Sequence, residues 1–365
     1  MRFFILLFLF PALAFAQVKI SGRIINSIDN KPIEKASIFL ANATVGNSSN
    51  NEGNFTLFNV KPGQYEVVVS VLGFEAHHMM VMVNNADINL YDIKLIPKSI
   101  ALKEVSVTPD NKWFEKYRLF KYEFLGPSKL AAKCKILNPE VLSLQYEEGN
   151  KNVLTGSSDE FLQIENQELG YRIKYLLSKF IRNGKTGLVY YEGSPLFEEM
   201  KGKPSKIKKW KKKRLEVYKG SGMHFLRSVL ASRLAEEGFE VRRLIRPTDS
   251  AKRTMFGNVQ MLVKTPLTVN DFTRLTDQHG LYALAFDNHL YVIYTKRRVR
   301  YNFRPVYMPK DAPDYATSII GFEDKYGFFD SNGVIVNPAG VIFEGTWAGQ
   351  RMAEMLPIDY VPTEK

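Results

Sequence analysis

One cysteine in 365 residues, Cys134, leaves no partner for a disulfide within the chain. With no Cys/His motif around it, it is expected to be a small buried residue on a helix face, not a reactive thiol. Histidine is nearly as scarce, at five residues. None stands in an H-E-x-x-H or H-x-x-E spacing, which excludes the common zinc hydrolase patterns. There is no G-x-S-x-G elbow and no glycine-rich phosphate loop, so the usual serine hydrolase and nucleotide-binding signals are missing too. Beyond the amino terminus no apolar run approaches the ~20 residues that cross a bilayer as a helix. The chain is also too short for a large outer-membrane transporter, whose roughly 22 strands of about 10 residues need more than ~500 residues with loops and plug. No cofactor and no metal is expected.

What is present begins with Arg2, the apolar stretch Phe3 to Phe10, Pro11, and Ala14-Phe15-Ala16 before Gln17. A basic start, a short apolar core and small residues at −3 and −1 are the parts of a secretory signal peptide, so residues 1–16 are expected to be removed. Gln17 in place of a cysteine argues against a lipid anchor. From Gln17 to Val107 eight basic residues balance eight acidic ones. Short alternating runs follow one another here: Val18–Ile25, Ala36–Leu40, Asn54–Phe58, Tyr65–Val71, Met79–Val83 and Ile88–Leu95. Asp29-Asn30, Asn50–Gly53, Pro62-Gly63 and Leu72-Gly73 separate them, a pattern of strands and turns without helices. A small β-sandwich is implied.

The residues Gly22-Arg23-Ile24, Lys31-Pro32-Ile33-Glu34-Lys35-Ala36-Ser37-Ile38, Asn50-x-x-Gly53-Asn54-Phe55, Val60-x-x-Gly63-Gln64-Tyr65 and Ser70-x-x-Gly73-Phe74 resemble the carboxypeptidase-regulatory-like domain. The resemblance implies a transthyretin-type sandwich of seven strands over residues 17–98, an accessory module without catalytic residues. It implies a cell-envelope protein of Bacteroidota, where such domains precede the plug of many TonB-dependent receptors. Residues 99–112 resemble the link to that plug, but Trp113-Phe114-Glu115-Lys116-Tyr117 begins a helix-like run instead. The remainder, with Met223–Ser228 and Glu237–Arg243, is similar to the downstream region of a group of Bacteroidota envelope proteins, from which no functional residue is carried over.

Residues 113–365 mix periods. Helices are expected over Lys112–Phe124, Pro127–Ile136, Ile207–Tyr218 and Met223–Ala235. Strands are expected near Val141–Tyr146, Asn152–Thr155, Phe161–Glu165, Phe239–Leu244, Val259–Val263, Leu281–Phe286, Leu290–Tyr294, Ala316–Gly321, Gly327–Phe329 and Gly333–Val336. The whole is therefore expected to be an all-β seven-stranded sandwich followed by an α+β domain with an antiparallel sheet.

Most candidate chemistry has a plainer reading. His77 and His78 are strand neighbours that point to opposite faces. His224 is expected to be a structural histidine, with Glu237 at an unfavourable separation. Asp330-Ser331-Asn332-Gly333 starts like a calcium loop but lacks the remaining ligands, and a turn explains it. Ser205-x-x-Lys208 and Lys185-Thr186-Gly187 stand in the reverse order for a peptidoglycan-active serine enzyme. Glu198-Glu199 and Glu236-Glu237 fit exposed positions. Tyr171, Tyr175, Tyr190 and Tyr191 could stack sugars, though such residues more often fill a core.

Charge is the conspicuous feature. Lys201 to Arg246 holds fifteen basic and four acidic residues, and Lys206 to Arg214 has seven basic residues in nine. On a helical wheel Ile207, Trp210, Leu215, Val217 and Tyr218 share one face, a basic amphipathic helix with an aromatic anchor. The candidate docking residues are Lys206, Lys208, Lys209, Trp210, Lys212, Lys213 and Arg214. Three readings fit: a solvated face, docking on anionic lipid, lipopolysaccharide or an acidic protein, or nucleic acid, which a secreted protein rarely meets. The expected role is a non-enzymatic periplasmic scaffold or adaptor on the inner face of the outer membrane. Its partner would be an outer-membrane β-barrel protein or its complex, such as a TonB-dependent receptor or the outer-membrane protein assembly machinery. An envelope hydrolase built from second-domain carboxylates and tyrosines, or a glycan-binding module, are the alternatives.

Overall fold

A computed structural model describes residues 18–98, 112–246, 253–254, 257–258, 260–299, 309 and 312–363. The signal segment 1–16 and all but the last residue of the 99–112 linker lie outside the described residues. No helix among the described residues is long and apolar enough to cross a membrane.

The amino-terminal domain is a two-sheet sandwich of seven strands. They are β1 (Val18–Asn26), β2 (Ser37–Leu40), β3 (Gly46–Ser48), β4 (Asn54–Val60), β5 (Gly63–Ser70), β6 (His77–Val83) and β7 (Ile88–Leu95). One sheet runs β4-β1-β7, the other β3-β2-β5-β6. Five of the strands are antiparallel to every neighbour; β1 and β7 pair in parallel. Ile20, Ile24, Ile38, Leu40, Val67 and Val69 meet between the sheets, as the period of two demands. Val68, which alternates with Val67 and Val69 and so points to the opposite face, is fully buried, because that face of the second sheet carries a further cluster of Phe39, Ala41, Val68 and Leu196. Both faces of this sheet are covered, and the second cover comes from the other domain. At Gly53 (φ 80°) a side chain would run into the Ile24 carbonyl, so the turn before β4 requires glycine.

In the second region strands dominate and helices are few. After α1 (Trp113–Leu125) come β8 (Cys134–Ile136), β9 (Leu142–Glu147), β10 (Asn150–Ser158), β11 (Leu162–Asn166), β12 (Tyr171–Asn183) and β13 (Val189–Glu199). These strands form one antiparallel sheet in which β13 takes all of one edge of β12, while β11 and β10 share the other. Then follow α2 (Pro204–Tyr218), α3 (Gly222–Leu230), α4 (Leu234–Glu237), β14 (Phe239–Ile245), β15 (Arg253–Thr254), β16 (Gly257–Asn258), β17 (Met261–Pro266), α5 (Val269–Phe272), β18 (Thr273–Leu275), β19 (Leu281–Leu284), β20 (His289–Arg298), β21 (Tyr315–Phe322), β22 (Gly327–Asp330), β23 (Val341–Gly345) and α6 (Thr346–Gly349). They build the antiparallel sheets β17-β14-β20-β21-β23 and β18-β19-β22, and a β15-β16 ribbon. Helix α3 buries Phe225, Leu226 and Val229 against Phe239, Val241 and Val292 of the five-stranded sheet.

Several expectations are corrected. Residues 127–136 are not a helix: a single 3₁₀ turn at Ala131–Lys133 leads into β8, so buried Cys134 sits on a strand. The helix expected to reach Ala235 stops at Leu230, where Ser232 adopts φ 55°, and α4 starts afresh. Gly333–Val336 is no strand; Phe329 and Ile335 make a lone bridge after the turn. One expected antiparallel sheet is three sheets and a ribbon. The long β12–β13 hairpin escaped notice because its register shifts between Leu177 and Lys179, which puts the alternation of its two halves out of phase.

The domains are stitched together by main chain. Asn42 N–H donates to the Pro195 carbonyl (2.7 Å) and Phe197 N–H to the Ala43 carbonyl (2.9 Å), so the loop after β2 lies along the outer edge of β13. On its other side, Ile358 N–H donates to the Asn42 carbonyl (2.7 Å), and the Ile358 side chain enters the sandwich core. Arg227 of α3 fixes that tail, donating to the carbonyls of Ile358 (2.8 Å), Tyr360 (2.9 Å) and Asn332 (2.8 Å). Truncating Ile358 to alanine leaves a hole in the first domain; equilibrium urea unfolding should report a loss of about 2–4 kcal/mol. An unchanged sandwich transition would show that the tail does not complete this core.

Candidate functional site

The basic helix α2 is held by a socket. Pro204 occupies its first turn, where the missing N–H costs nothing. Trp210, Arg214, Val217 and Tyr218, spaced i, i+4, i+7 and i+8, form its buried stripe. The Trp210 indole N–H donates to the Gln167 carbonyl (2.8 Å), and its ring lies on Gly170. Gly170 has φ 70°, and any Cβ there would run into the indole. The Arg214 guanidinium stacks 3.8 Å from the centre of the Tyr171 ring. It donates to the carbonyls of Leu169 (2.7 Å) and Gly170 (3.2 Å) and pairs with Glu199. The β11–β12 turn and the end of β13 thus present the carbonyls and the carboxylate that a buried arginine needs.

This geometry divides the seven docking candidates. Trp210 and Arg214, 2% and 6% exposed, belong to the interior and fix the helix. Lys206 lies over the Trp210 ring (5.1 Å), Lys209 faces Glu168 (3.6 Å) and Lys213 pairs with Glu216 (2.6 Å). Lys208 and Lys212 are exposed, with no carboxylate within ion-pair distance among the described residues. Lys201, Lys203 and Lys211 are in the same state. These three were not singled out, although they belong to the same charge run. Lys208, Lys211 and Lys212 are at i, i+3 and i+4, a like-charge arrangement that costs the helix a few tenths of a kcal/mol per pair. Ile207, expected on the inner face, is 37% exposed.

Several of the other candidate side chains pair locally. His78 Nδ1 is 3.0 Å from Glu66 Oε1 on the neighbouring strand, and this bond raises the histidine pKa. His224 does meet Glu237 (3.2 Å), because the break after α3 carries Glu237 back beside it. Its Nδ1 accepts the Gly220 N–H (3.0 Å), so the proton is on Nε2 and is donated to the carboxylate. Burial lowers the His224 pKa, opposed by Glu237. Asp330 is buried and accepts from Asn332 N–H (3.0 Å) and Val334 N–H (2.9 Å), the turn its sequence suggests. Tyr171 and Tyr175 lie in the core of the six-stranded sheet with Tyr191 against it, so the four tyrosines make no flat platform. Glu198 and Glu199, strand neighbours facing opposite ways, pair with Lys174 (2.7 Å) and with Arg214. Burial pushes the Cys134 thiol up to about 12. Among the described residues no group of three or more His, Cys, Asp or Glu side chains could hold a metal ion.

The first domain is a β-sandwich by its fold. Residues 20–107 match the CarboxypepD_reg-like domain, which covers the sandwich and leaves the second domain unassigned. No curated protein matches the chain. Among solved structures, a type II cohesin–X-dockerin complex from Acetivibrio cellulolyticus is 17% identical, with 22% of this chain on 56% of that one and a TM-score of 0.20. A putative carbohydrate binding protein from Bacteroides uniformis is 14% identical over 50% of this chain and 79% of that one, TM-score 0.19. A DUF3823 family protein from Parabacteroides merdae is 11% identical over 53% and 85%, TM-score 0.18.

Two outcomes test the socket and the buried histidine. Gly170→Ala should cost about 2–4 kcal/mol through left-handed strain and overpacking against Trp210, whereas Lys208→Ala stays within about 0.5 kcal/mol. Urea titrations of the two variants decide it. For His224 the folded pKa lies below its ordinary 6.5, so the unfolded chain takes up the proton first. Stability is full above that value and falls as pH drops through it towards the folded pKa. His224→Gln should flatten this part of the pH–stability curve, and an identical curve would refute the assignment.

Proposed function

We propose that the protein is a non-enzymatic adaptor of the bacterial cell envelope that docks on an anionic surface through the outer lysines of α2. The observation that carries this reading is the state of Lys208, Lys211 and Lys212, exposed, without carboxylate partners among the described residues, and mounted on a helix whose other face is locked, with Lys201 and Lys203 in the same state just before it. Long-range charge of one sign on a rigid support attracts an opposite surface without an ordering cost in the helix backbone. Each lysine near an anionic leaflet contributes about 1 kcal/mol. Export through the signal segment would place the chain in the periplasm, on the inner face of the outer membrane. There the CarboxypepD_reg-like sandwich would face an outer-membrane β-barrel protein, such as a TonB-dependent receptor or a component of the assembly machinery.

Cosedimentation of the mature chain with phosphatidylglycerol-containing vesicles tests the docking face. Reversal of three of these charges in Lys203→Glu, Lys208→Glu and Lys212→Glu should weaken binding by about 100-fold or more. Raised salt should release the unaltered chain. Binding that ignores both changes would end this reading.

A further inference from the structure

Beside the docking helix, between the sandwich and α2, lies a cleft of about 600 Å³. Its walls come from three distant stretches of chain. β4 and the turn after it supply Phe58, Asn59 and Lys61; α2 supplies Lys211 and Arg214; the tail supplies Asp359 and Tyr360. Tyr171 and Glu199 also line it, as do residues 44–47 of the sandwich.

We propose that this cleft binds a short acidic saccharide. The Tyr171 ring is closed in by Arg214, while its hydroxyl, which has no hydrogen-bond partner among the described residues, is not sealed off from the cleft that the residue lines. A hydroxyl so placed can donate to a bound ligand and accept from it. Asn59 also lines the cleft, exposed and with no side-chain hydrogen bond among the described residues, so its amide is available to a ligand.

The charges set the sign of the ligand. Glu199 is paired with Arg214. The Asp359 carboxylate accepts from the Thr44 N–H (3.2 Å) and from the Thr44 hydroxyl. Both acidic groups are therefore engaged. Lys211 has no such partner, and Lys61 donates only to the Asp359 carbonyl (3.1 Å). Two amines remain for an anion, one on each side of the cleft. Phe58, 52% exposed, offers an apolar face to the C–H side of a sugar ring. Hydroxyl and amide groups, two amines and one aromatic face together suit a ring rich in hydroxyls that bears a carboxylate or phosphate. The site does not depend on the membrane-docking role, and the two can fail separately.

Calorimetric titration of the mature chain with trigalacturonate and with glucose 6-phosphate, and with maltotriose as the neutral control, tests the assignment. At least one acidic probe should bind, and maltotriose at least about tenfold more weakly. Tyr171→Phe keeps the ring under Arg214 and should weaken binding about fivefold, the effect of one hydrogen bond. Lys211→Ala should weaken it by at least as much. Lys203→Glu, Lys208→Glu and Lys212→Glu together should leave it within about twofold, since these residues do not line the cleft. No binding of either acidic probe, equal binding of maltotriose, or indifference to Tyr171→Phe and Lys211→Ala would each overturn the proposal.

Discussion

The outer edge of β13 governs how this molecule is put together. A strand edge exposes a row of N–H and C=O groups that must be paired or guarded. Here Asn42 and Ala43 cover part of that row, and Ile358 covers the far side of Asn42. One loop of the first domain is thereby held between a strand of the second and the carboxyl tail. With the backbones fixed, Phe39, Val68 and Leu196 close into an apolar seam, and the sandwich stops behaving as a bead on a tether. The position of α2 follows, since its socket is the β11–β12 turn and the end of the same β13. The cleft follows as well, because its walls are the three elements that this edge brings together.

How much of this could be read from the sequence depends on whether the cause was local. The strands of the sandwich were legible because period-two alternation and turn residues are short-range signals, and the seventh strand was implied by the resemblance. β3, only Gly46–Ser48 and exposed throughout, has no apolar pattern to betray it. Val68 looked like a solvent-facing residue in a half-buried strand. Only the second domain, some hundred residues later, reverses that. The α2 stripe was read from Trp210, Val217 and Tyr218, but Arg214 was counted with the charges. Nothing in a run of lysines and arginines says which one meets a turn of free carbonyls. The guanidinium is suited to that place by its planar fork, and a lysine ammonium would not satisfy three acceptors spread in this way. The pairing of His224 with Glu237 was hidden for a similar reason: it depends on a helix ending at Leu230, and the apolar spacing by itself runs on.

The charge distribution shows two different uses of the same residue types. Arg214, Arg227 and Arg351 face inward and bind carbonyl groups of distant segments: Leu169 and Gly170, then Asn332, Ile358 and Tyr360, then Glu123. They organise the interior. Lys208, Lys211 and Lys212 of α2 lie outward and leave their charge uncompensated. Net charge alone could not separate these roles, and burial does.

The tail that closes the sandwich has a temporal consequence. Thr44 and Asp359, joined across the seam, are 315 positions apart in sequence. A chain emerging amino end first presents Ile20, Ile24 and Val67 long before Ile358 exists to fill the space beside them. Contacts of such separation form late and slowly. The first domain is thus kept from its final state until the chain has been made as far as Ile358, long after its own last strand.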